Sequence, residues 1–304
     1  MTGLGVKIGK ISLKNPVMAA SGTFGYAKEF EKLVNLKHIG GIITKTITLN
    51  PRAGNPMPRI CETAAGMLNA IGLQNEGFDN FIKEKLPYLS KIGTPVIVSI
   101  SGNNIDEFFI LAKRLDKIKS ISGIELNISC PNIKCEGLVA HDAKETYEVV
   151  KAVRKITGKT IITKLSPNVT DIVKIAKAAE NAGSDAVSLV NTFLGMAIDI
   201  ETRKPKLGNI TGGLSGPCIK PIALRMVYDV SRNIDIPVIG IGGIMSASDA
   251  VEFMIAGAST IQIGTANFIE PDVCGKIIKG IEEYLRKHKI ENIEELIGSF
   301  NDKR

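Results

Sequence analysis

The stretch Glu125-Leu126-Asn127-Ile128-Ser129-Cys130-Pro131-Asn132-Ile133-Lys134-Cys135-Glu136-Gly137 begins as a strand and ends as a loop. Ile124, Leu126 and Ile128 form an apolar run of the kind found in strands buried on both faces. Pro131 lacks a backbone donor and turns the residue before it away from helix, so Cys130 falls where strand becomes loop. Asn127, Ser129, Cys130 and Asn132 gather polar atoms there. A thiol in that position serves as base or nucleophile once its pKa leaves the ordinary value of about 8.5. Taken alone, Cys130 reads first as a small apolar side chain filling a barrel mouth. The other strand ends reverse that preference.

Outward from this stretch the same grammar repeats eight times, a short apolar strand followed by an amphipathic helix. Strands are predicted at Pro16–Ser21, Ile39–Thr46, Pro95–Ser101, Gly123–Ser129, Thr160–Ser166, Ala186–Asn191, Pro237–Gly243 and Thr260–Ala266. Helices are predicted near Ala27–Val34, Asp79–Lys91, Ile105–Ile118, Ala143–Thr157, Val169–Ala182, Ile219–Arg232, Ala247–Ala256 and Val273–His288. Asp142, Thr170 and Ser246 are candidate caps, and Gly158, Gly183 and Gly257 candidate helix ends. Eight such units favour an α/β fold of the (β/α)8 TIM-barrel type over a doubly wound sheet. Val6, Ile8, Ile11 and Leu13 alternate with polar residues around Gly9-Lys10, which predicts an N-terminal β-hairpin before the barrel. No composition shift marks a boundary, so residues 1–304 are expected to form one domain. Long loops follow strands two, four and six. Two of them, Ile47–Glu76 and Thr192–Pro217, exceed ordinary connections and leave the strand ends where barrels build their sites. They read as walls over a substrate, or else as surface decoration.

Bulk properties narrow the function. Of 304 residues, 44% are hydrophobic and 23% charged, as in an ordinary globular protein. The formal net charge of +7 is interspersed with acidic residues, and aromatics are only 5%, so a nucleic-acid role is unsupported. Lysines crowded at Lys113–Lys119 and Lys151–Lys159 read as solvated helix faces. The five cysteines, Cys61, Cys130, Cys135, Cys218 and Cys274, are scattered without a C-x-x-C pair, which suits a reduced, cytoplasmic chain. Three histidines make no ligand pair, and no metal site is expected. No signal-peptide layout and no run of about 18 apolar residues is present, so membrane insertion is not expected.

In a barrel the strand ends share one mouth. Here they would bring together Ser21, Lys45-Thr46, Ser99, Asn127, Ser129-Cys130, Lys164, Asn191-Thr192, Gly242-Gly243 and Gly264-Thr265. One buried lysine could snorkel, but two at equivalent strand ends point to an anionic ligand. The glycines ending strands seven and eight suit a phosphate held by backbone N–H groups, with Leu214-Ser215-Gly216-Pro217 as a further small-residue wall. A phosphate end, two lysines and several asparagines suggest flavin mononucleotide (FMN), with Lys164 near the ring edge where charge collects on reduction. A barrel lyase using Lys164 as a Schiff base competes with that reading.

Several motifs, in order through nearly the whole chain, resemble the dihydroorotate dehydrogenases. They are Ala20-Ser21-Gly22-Thr23-Phe24-Gly25, Thr44-Lys45-Thr46, Asn69-Ala70-Ile71-Gly72-Leu73-Gln74-Asn75, Asn127-Ile128-Ser129-Cys130-Pro131-Asn132, Lys164-Leu165-Ser166-Pro167-Asn168, Asn191-Thr192 and Gly242-Gly243. The resemblance implies an enzyme of de novo pyrimidine synthesis that oxidises (S)-dihydroorotate to orotate. In it Cys130 removes the C5 proton, and hydride passes from C6 to N5 of FMN. Lys45 would lie between flavin and substrate. Asn69, Asn127, Asn132, Asn191 and Thr192 would bind dihydroorotate, with the backbone of Ala70, Ile71, Gly72 and Leu73. Ser21, Lys45, Thr46, Ser99, Asn127, Lys164 and Val190 would touch FMN, and Gly216, Gly242, Gly243, Gly264 and Thr265 would hold its phosphate.

The cysteine base is similar to the class I enzymes rather than the serine-using membrane class with its N-terminal extension. Gly22-Thr23-Phe24-Gly25 and Met67 to Gln74 are similar to the NAD-linked type. That type implies a partner subunit carrying FAD and a 2Fe-2S cluster, and a homodimer of this chain within a heterotetramer. This chain has no dinucleotide fingerprint of its own, consistent with NAD chemistry done elsewhere. The fumarate-using type, acting without a partner, is the nearest alternative. Two departures stand out: Ser99 where the family commonly has asparagine, and Cys135-Glu136-Gly137 in place of a more usual glycine pair.

Overall fold

The computed structural model describes residues 3–128 and 142–301. The predicted hairpin is present: β1 (Val6–Ile8) and β2 (Ile11–Leu13) pair antiparallel, with Ile8 opposite Ile11 across the Gly9-Lys10 turn. Its apolar alternation explains its place, since Val6, Ile8, Ile11 and Leu13 are all buried. Lys10 N donates to Thr160 Oγ1 at 3.0 Å, and Lys10 Nζ to Gly158 O at 2.6 Å. The hairpin therefore closes the end of the barrel where the strands start.

The chain next enters the barrel through β3 (Val17–Ala19) and β4 (Gly41–Ile43). It leaves it for β5 (Ile60–Thr63) and β6 (Gly66–Asn69), then returns by β7 (Val96–Ile100), β8 (Gly123–Asn127), β9 (Thr160–Lys164) and β10 (Ala186–Leu189). A second departure makes β11 (Phe193–Met196), the short pair β12 (Ile198–Asp199) and β13 (Lys204–Pro205), and β14 (Thr211–Ser215). Strands β15 (Val238–Ile241) and β16 (Ala258–Ile263) complete the set. The closed order is β10-β15-β16-β3-β4-β7-β8-β9, and every barrel pair is parallel. The expected (β/α)8 barrel is the observed one. Its strands are buried along nearly their whole length, which explains why they read as unbroken apolar runs.

Most helices fall where periodicity placed them: α3 (Ile105–Asp116), α4 (Ala143–Arg154), α5 (Ile172–Asn181), α6 (Lys220–Ser231) and α7 (Ala247–Ile255) are crossovers, while α8 (Ala266–Ile269) is a single turn after β16 and α9 (Val273–His288) follows the last strand. Asp142 caps α4 through Lys144 N and Glu145 N, and Ser246 caps α7 in a reciprocal box with Asp249. Asp171, not Thr170, caps α5. Gly183 and Gly257 follow helices with φ of 97° and 118°, whereas α4 has already ended at Arg154, before Gly158. The segment Asp79–Lys91 is helical in three pieces: α1 (Gly77–Asn80), a wider π turn at Phe81–Lys85, and α2 (Leu86–Leu89). Pro87 cannot donate to the carbonyl four residues back, which accounts for the widening.

Two further expectations fail. The helix predicted at Ala27–Val34 is replaced by isolated 3-10 turns at Lys28–Phe30 and Leu36–His38. Ala27 sits at φ 67°, and Phe30 folds back to stack on buried Phe24 at 4.0 Å, so the apolar spacing packs a turn and leaves Leu33 exposed. Lys159, expected on a solvated face, donates to Ile118 O and Ile121 O at 2.9 and 2.8 Å, and partial burial lowers its pKa.

Candidate functional site

The two long excursions do not wander over the surface. They meet in one four-stranded antiparallel sheet, ordered β11-β14-β6-β5, with Leu214 opposite Leu68 and Gly213 opposite Asn69. This sheet roofs the C-terminal mouth of the barrel. Between roof and barrel lies a cavity of about 530 Å³. Its walls include Ser21, Lys45, Thr46, Asn69, Ala70, Ile71, Gly72, Leu73, Asn127, Lys164, Val190, Asn191, Thr192, Gly216, Gly242, Gly243, Gly264 and Thr265. One cavity thus gathers nearly all the residues singled out from the sequence. Cys130 and Asn132 lie outside the described residues, as do Ser129, Cys135 and the loop after strand four.

Thr46 is the hub of the cavity floor. Its Oγ1 receives Asn127 Nδ2 at 3.1 Å and shares hydrogen bonds with Ser21 Oγ at 3.2 Å and Ser99 Oγ at 2.9 Å. Ser99 is fully buried and does not line the cavity. It reaches the cavity wall only by way of Thr46. Asn191 Nδ2 reaches Asn127 Oδ1 at 3.5 Å, and Asn191 Oδ1 accepts from Thr192 N at 2.8 Å. Asn69 Nδ2 donates to Gly213 O at 3.3 Å, which ties a roof strand's amide to its neighbour.

Glycine shapes the far end. Gly242 and Gly243 have φ of 127° and 75°. A Cβ on Gly243 would stand 2.8 Å from Lys220 N and 2.9 Å from Gly216 O, so only glycine allows that closeness. Lys220 then reaches across to Asp249 and Glu252, both at 2.6 Å, and joins the starts of α6 and α7. Thr265 Oγ1 donates to Ser215 Oγ at 2.8 Å, closing the same end from β16.

The two lysines differ. Lys45 is half-buried, and desolvation lowers its pKa, opposed through space by Glu29 and Glu76 and assisted by Arg59 and Lys85. Lys164 is buried, with Glu125 Oε1 at 4.0 Å. Glu125 and its neighbour Gln262 escaped the sequence reading, although a signal existed: each is a long polar side chain flanked on both sides by an apolar one. Arg59 was also missed, and Asn75 was read only as the end of a motif. Asn75 binds Thr48 N, Thr48 Oγ1, Leu73 O and Gly77 N at 2.8–3.2 Å. Arg59 donates to Asn55 O, Gln74 Oε1 and Ala53 O at 2.6–2.9 Å. Together they hold the loop that carries Ala70 to Leu73. Asn168 holds the other excursion, donating to Thr192 O at 3.0 Å and accepting from Leu194 N at 2.9 Å.

Other chemistry is thin among the described residues. Cys274 is buried beside Asp272, and burial pushes its thiol up to about 12, so it is no base. No group of three or more potential metal ligands occurs among them, and no helix among them is long and apolar enough to cross a membrane.

A closed parallel barrel with converging lysines, amides and a glycine-built end defines an α/β-barrel enzyme with its chemistry at the C-terminal mouth. The dihydroorotate dehydrogenase family model matches residues 3–285. Proteins of Geotalea daltonii and Geobacter sulfurreducens, both named dihydroorotate dehydrogenase B (NAD(+)), catalytic subunit, are 58% and 57% identical over 297 residues, 97% of each chain. The chain belongs to the dihydroorotate dehydrogenase family and is an oxidoreductase. A crystal structure of the Eimeria tenella enzyme, solved with ferulenol, superposes with a TM-score of 0.81 over 98% of this chain and 88% of that one; at 24% identity it speaks for the fold alone.

Proposed function

We propose that the cavity takes FMN together with (S)-dihydroorotate, and that this chain oxidises dihydroorotate to orotate. The observation that carries the reading is the convergence of Lys45, Asn69, Asn127, Lys164, Asn191 and Thr192 on one cavity whose other end is glycine. The residues fit the cofactor. The tight approach at Gly242, Gly243 and Gly216, with Gly264 and Thr265 beside it, suits a phosphate met by main chain. Lys164 suits the ring edge that gains charge, with Ser21, Thr46, Asn127 and Val190 around it. Ser99 contributes by fixing the Thr46 hydroxyl.

When bound, FMN supplies the two-electron acceptor that the oxidation requires. The chain's own residues do the rest. Lys45 attracts the substrate carboxylate. Asn69, Asn127 and Asn191 orient the ring, because each amide offers a donor and an acceptor. Thr192 and Asn132 join them. The backbone of Ala70 to Leu73, held by Asn75 and turned by Gly72 at φ 73°, lies along the ligand. Cys130 takes the C5 proton onto sulfur. The motif around Cys130 supports that last role.

The naming of relatives as NAD-linked catalytic subunits supports a partner in this system as well. In this reading electrons leave for NAD through a subunit carrying FAD and a 2Fe-2S cluster, in a cytoplasmic heterotetramer built on a homodimer of this chain. A Schiff-base lyase has less support, because Lys164 Nζ has the buried Glu125 carboxylate 4.0 Å away.

The test follows flavin absorbance without oxygen. Dihydroorotate is expected to bleach the flavin of the purified chain and to leave that of Cys130→Ala largely oxidised. Neither fumarate nor NAD alone should reoxidise it, whereas fast reoxidation by fumarate would remove the partner. No bleaching in the wild-type chain would overturn the substrate.

A further inference from the structure

Glu125 has no solvent exposure, yet the steps above give it nothing to do. It points from β8 into the barrel lumen, beneath the cavity. Its Oε2 accepts from Ser188 Oγ on β10 at 3.2 Å and from Gln262 Nε2 on β16 at 3.0 Å. Its Oε1 has no hydrogen-bond partner among the described residues and lies 4.0 Å from Lys164 Nζ on β9. Four strands therefore converge on one carboxylate. Lys164 and Gln262 line the cavity; Glu125 and Ser188 do not. The ion pair is oriented, with its cation facing the cavity and its anion behind.

Burying a carboxylate is costly unless a cation and donors accompany it. Lys164, Ser188 and Gln262 meet that need here. The arrangement has a second consequence. In a water-poor lumen the charge behind Lys164 is weakly screened, so it subtracts from the positive potential that the cavity floor offers. Negative charge gathers on a flavin when it is reduced, so a more positive floor favours the reduced form.

We propose that Glu125 is a positioning residue that holds the Lys164 ammonium at the cavity floor and keeps the bound flavin harder to reduce than Lys164 alone would make it. The inference rests on the reading of the cavity as an FMN site. Removing the charge at Glu125 without changing its shape then raises the flavin's midpoint potential.

The test is a spectroscopic redox titration of the FMN-loaded full chain against Glu125→Gln. The expected result is a positive shift worth about tenfold or more in the oxidised-to-reduced equilibrium, about 30 mV for a two-electron couple. Thr260→Val is the packing control. Thr260 is a buried neutral residue two places before Gln262 on the same strand face. Its potential is expected to match wild type. If Glu125→Gln does not fold, Glu125→Asp replaces it. That change keeps the charge but withdraws the carboxylate from Lys164, and a smaller shift of the same sign is required. An unshifted potential in a folded, FMN-loaded Glu125 variant overturns the inference, as does an equal shift in Thr260→Val. Failure of the wild-type chain to bind FMN is a different result: it overturns the FMN reading itself, and the inference falls with it.

Discussion

Lys45 and Lys164 reach the same cavity from the ends of β4 and β9, and the protein treats them in opposite ways. Lys164 is buried with a carboxylate at 4.0 Å that has no exposure at all. Lys45 is half-buried, and its carboxylates, Glu29 and Glu76, act only through space. One cation is part of the barrel's internal structure. The other is held partly desolvated and turned toward whatever the cavity receives. The difference separates a charge that the fold must keep from a charge that the ligand must meet.

The largest expected effect breaks that comparison directly. Lys164→Met leaves Glu125 buried without its cation and is expected to lower the unfolding free energy by about 3–5 kcal/mol. Lys45→Met strands no buried partner and should cost no more than about 1 kcal/mol. Its loss appears in binding instead. A charged contact to the ligand worth about 1.5–3 kcal/mol corresponds to roughly tenfold to hundredfold weaker orotate binding. Urea unfolding and an orotate titration check the two halves. Equal destabilisation by both variants would show that the lysines are not different in kind.

A smaller effect sharpens the same contrast at the glycine end. Gly243→Ala forces a side chain into φ 75° and against Lys220 N and Gly216 O, so a cost of about 1–3 kcal/mol in stability is expected. Gly264→Ala meets only ordinary contacts, the nearest at 3.8 Å, while its methyl would enter the cavity wall. Its melting temperature should stay near wild type while FMN affinity falls. Melting curves beside flavin release measure both. A Gly264→Ala chain that keeps full FMN affinity would move the phosphate end elsewhere.

These contrasts also mark how far the sequence could be read. The barrel was legible because unbroken runs such as Ile161-Ile162-Thr163 suit only strands buried on both faces, and amphipathic helices separate them. The cavity wall was legible because chemistry collects at strand ends. What stayed hidden depends on contacts distant along the chain. Leu68 and Leu214 pair across 146 positions to make the roof, and no local pattern joins them. Glu125 shows in the sequence as an oddity in an apolar strand, but Gln262 and Ser188 must be brought to it by closure of the barrel. Ala27–Val34 misled because Phe30 has the spacing of a helix face and is used for stacking on Phe24. Asn75 was read within a motif, but that its amide supports Leu73 emerges only from its four hydrogen bonds.

The smallest effect concerns pH and touches Lys45 alone. Burial lowers its pKa below the ordinary lysine value of 10.5. Between that lowered value and 10.5 the folded protein holds fewer protons than the unfolded chain. Stability contributed at this position therefore rises as pH rises through the window. Ligand binding runs the other way, because the ammonium that attracts an anion is lost earlier than from a free lysine. Orotate affinity should accordingly fall as pH climbs toward 10.5. Lys45→Arg should resist the fall, since a guanidinium stays charged beyond about pH 12. The ratio of the two dissociation constants cancels any ionisation of the ligand itself. It should drift in favour of arginine, by up to about tenfold per pH unit once the amine is neutral. Parallel profiles for the two proteins would mean that Lys45 does not meet the ligand's charge, and the contrast with Lys164 would then rest on stability alone.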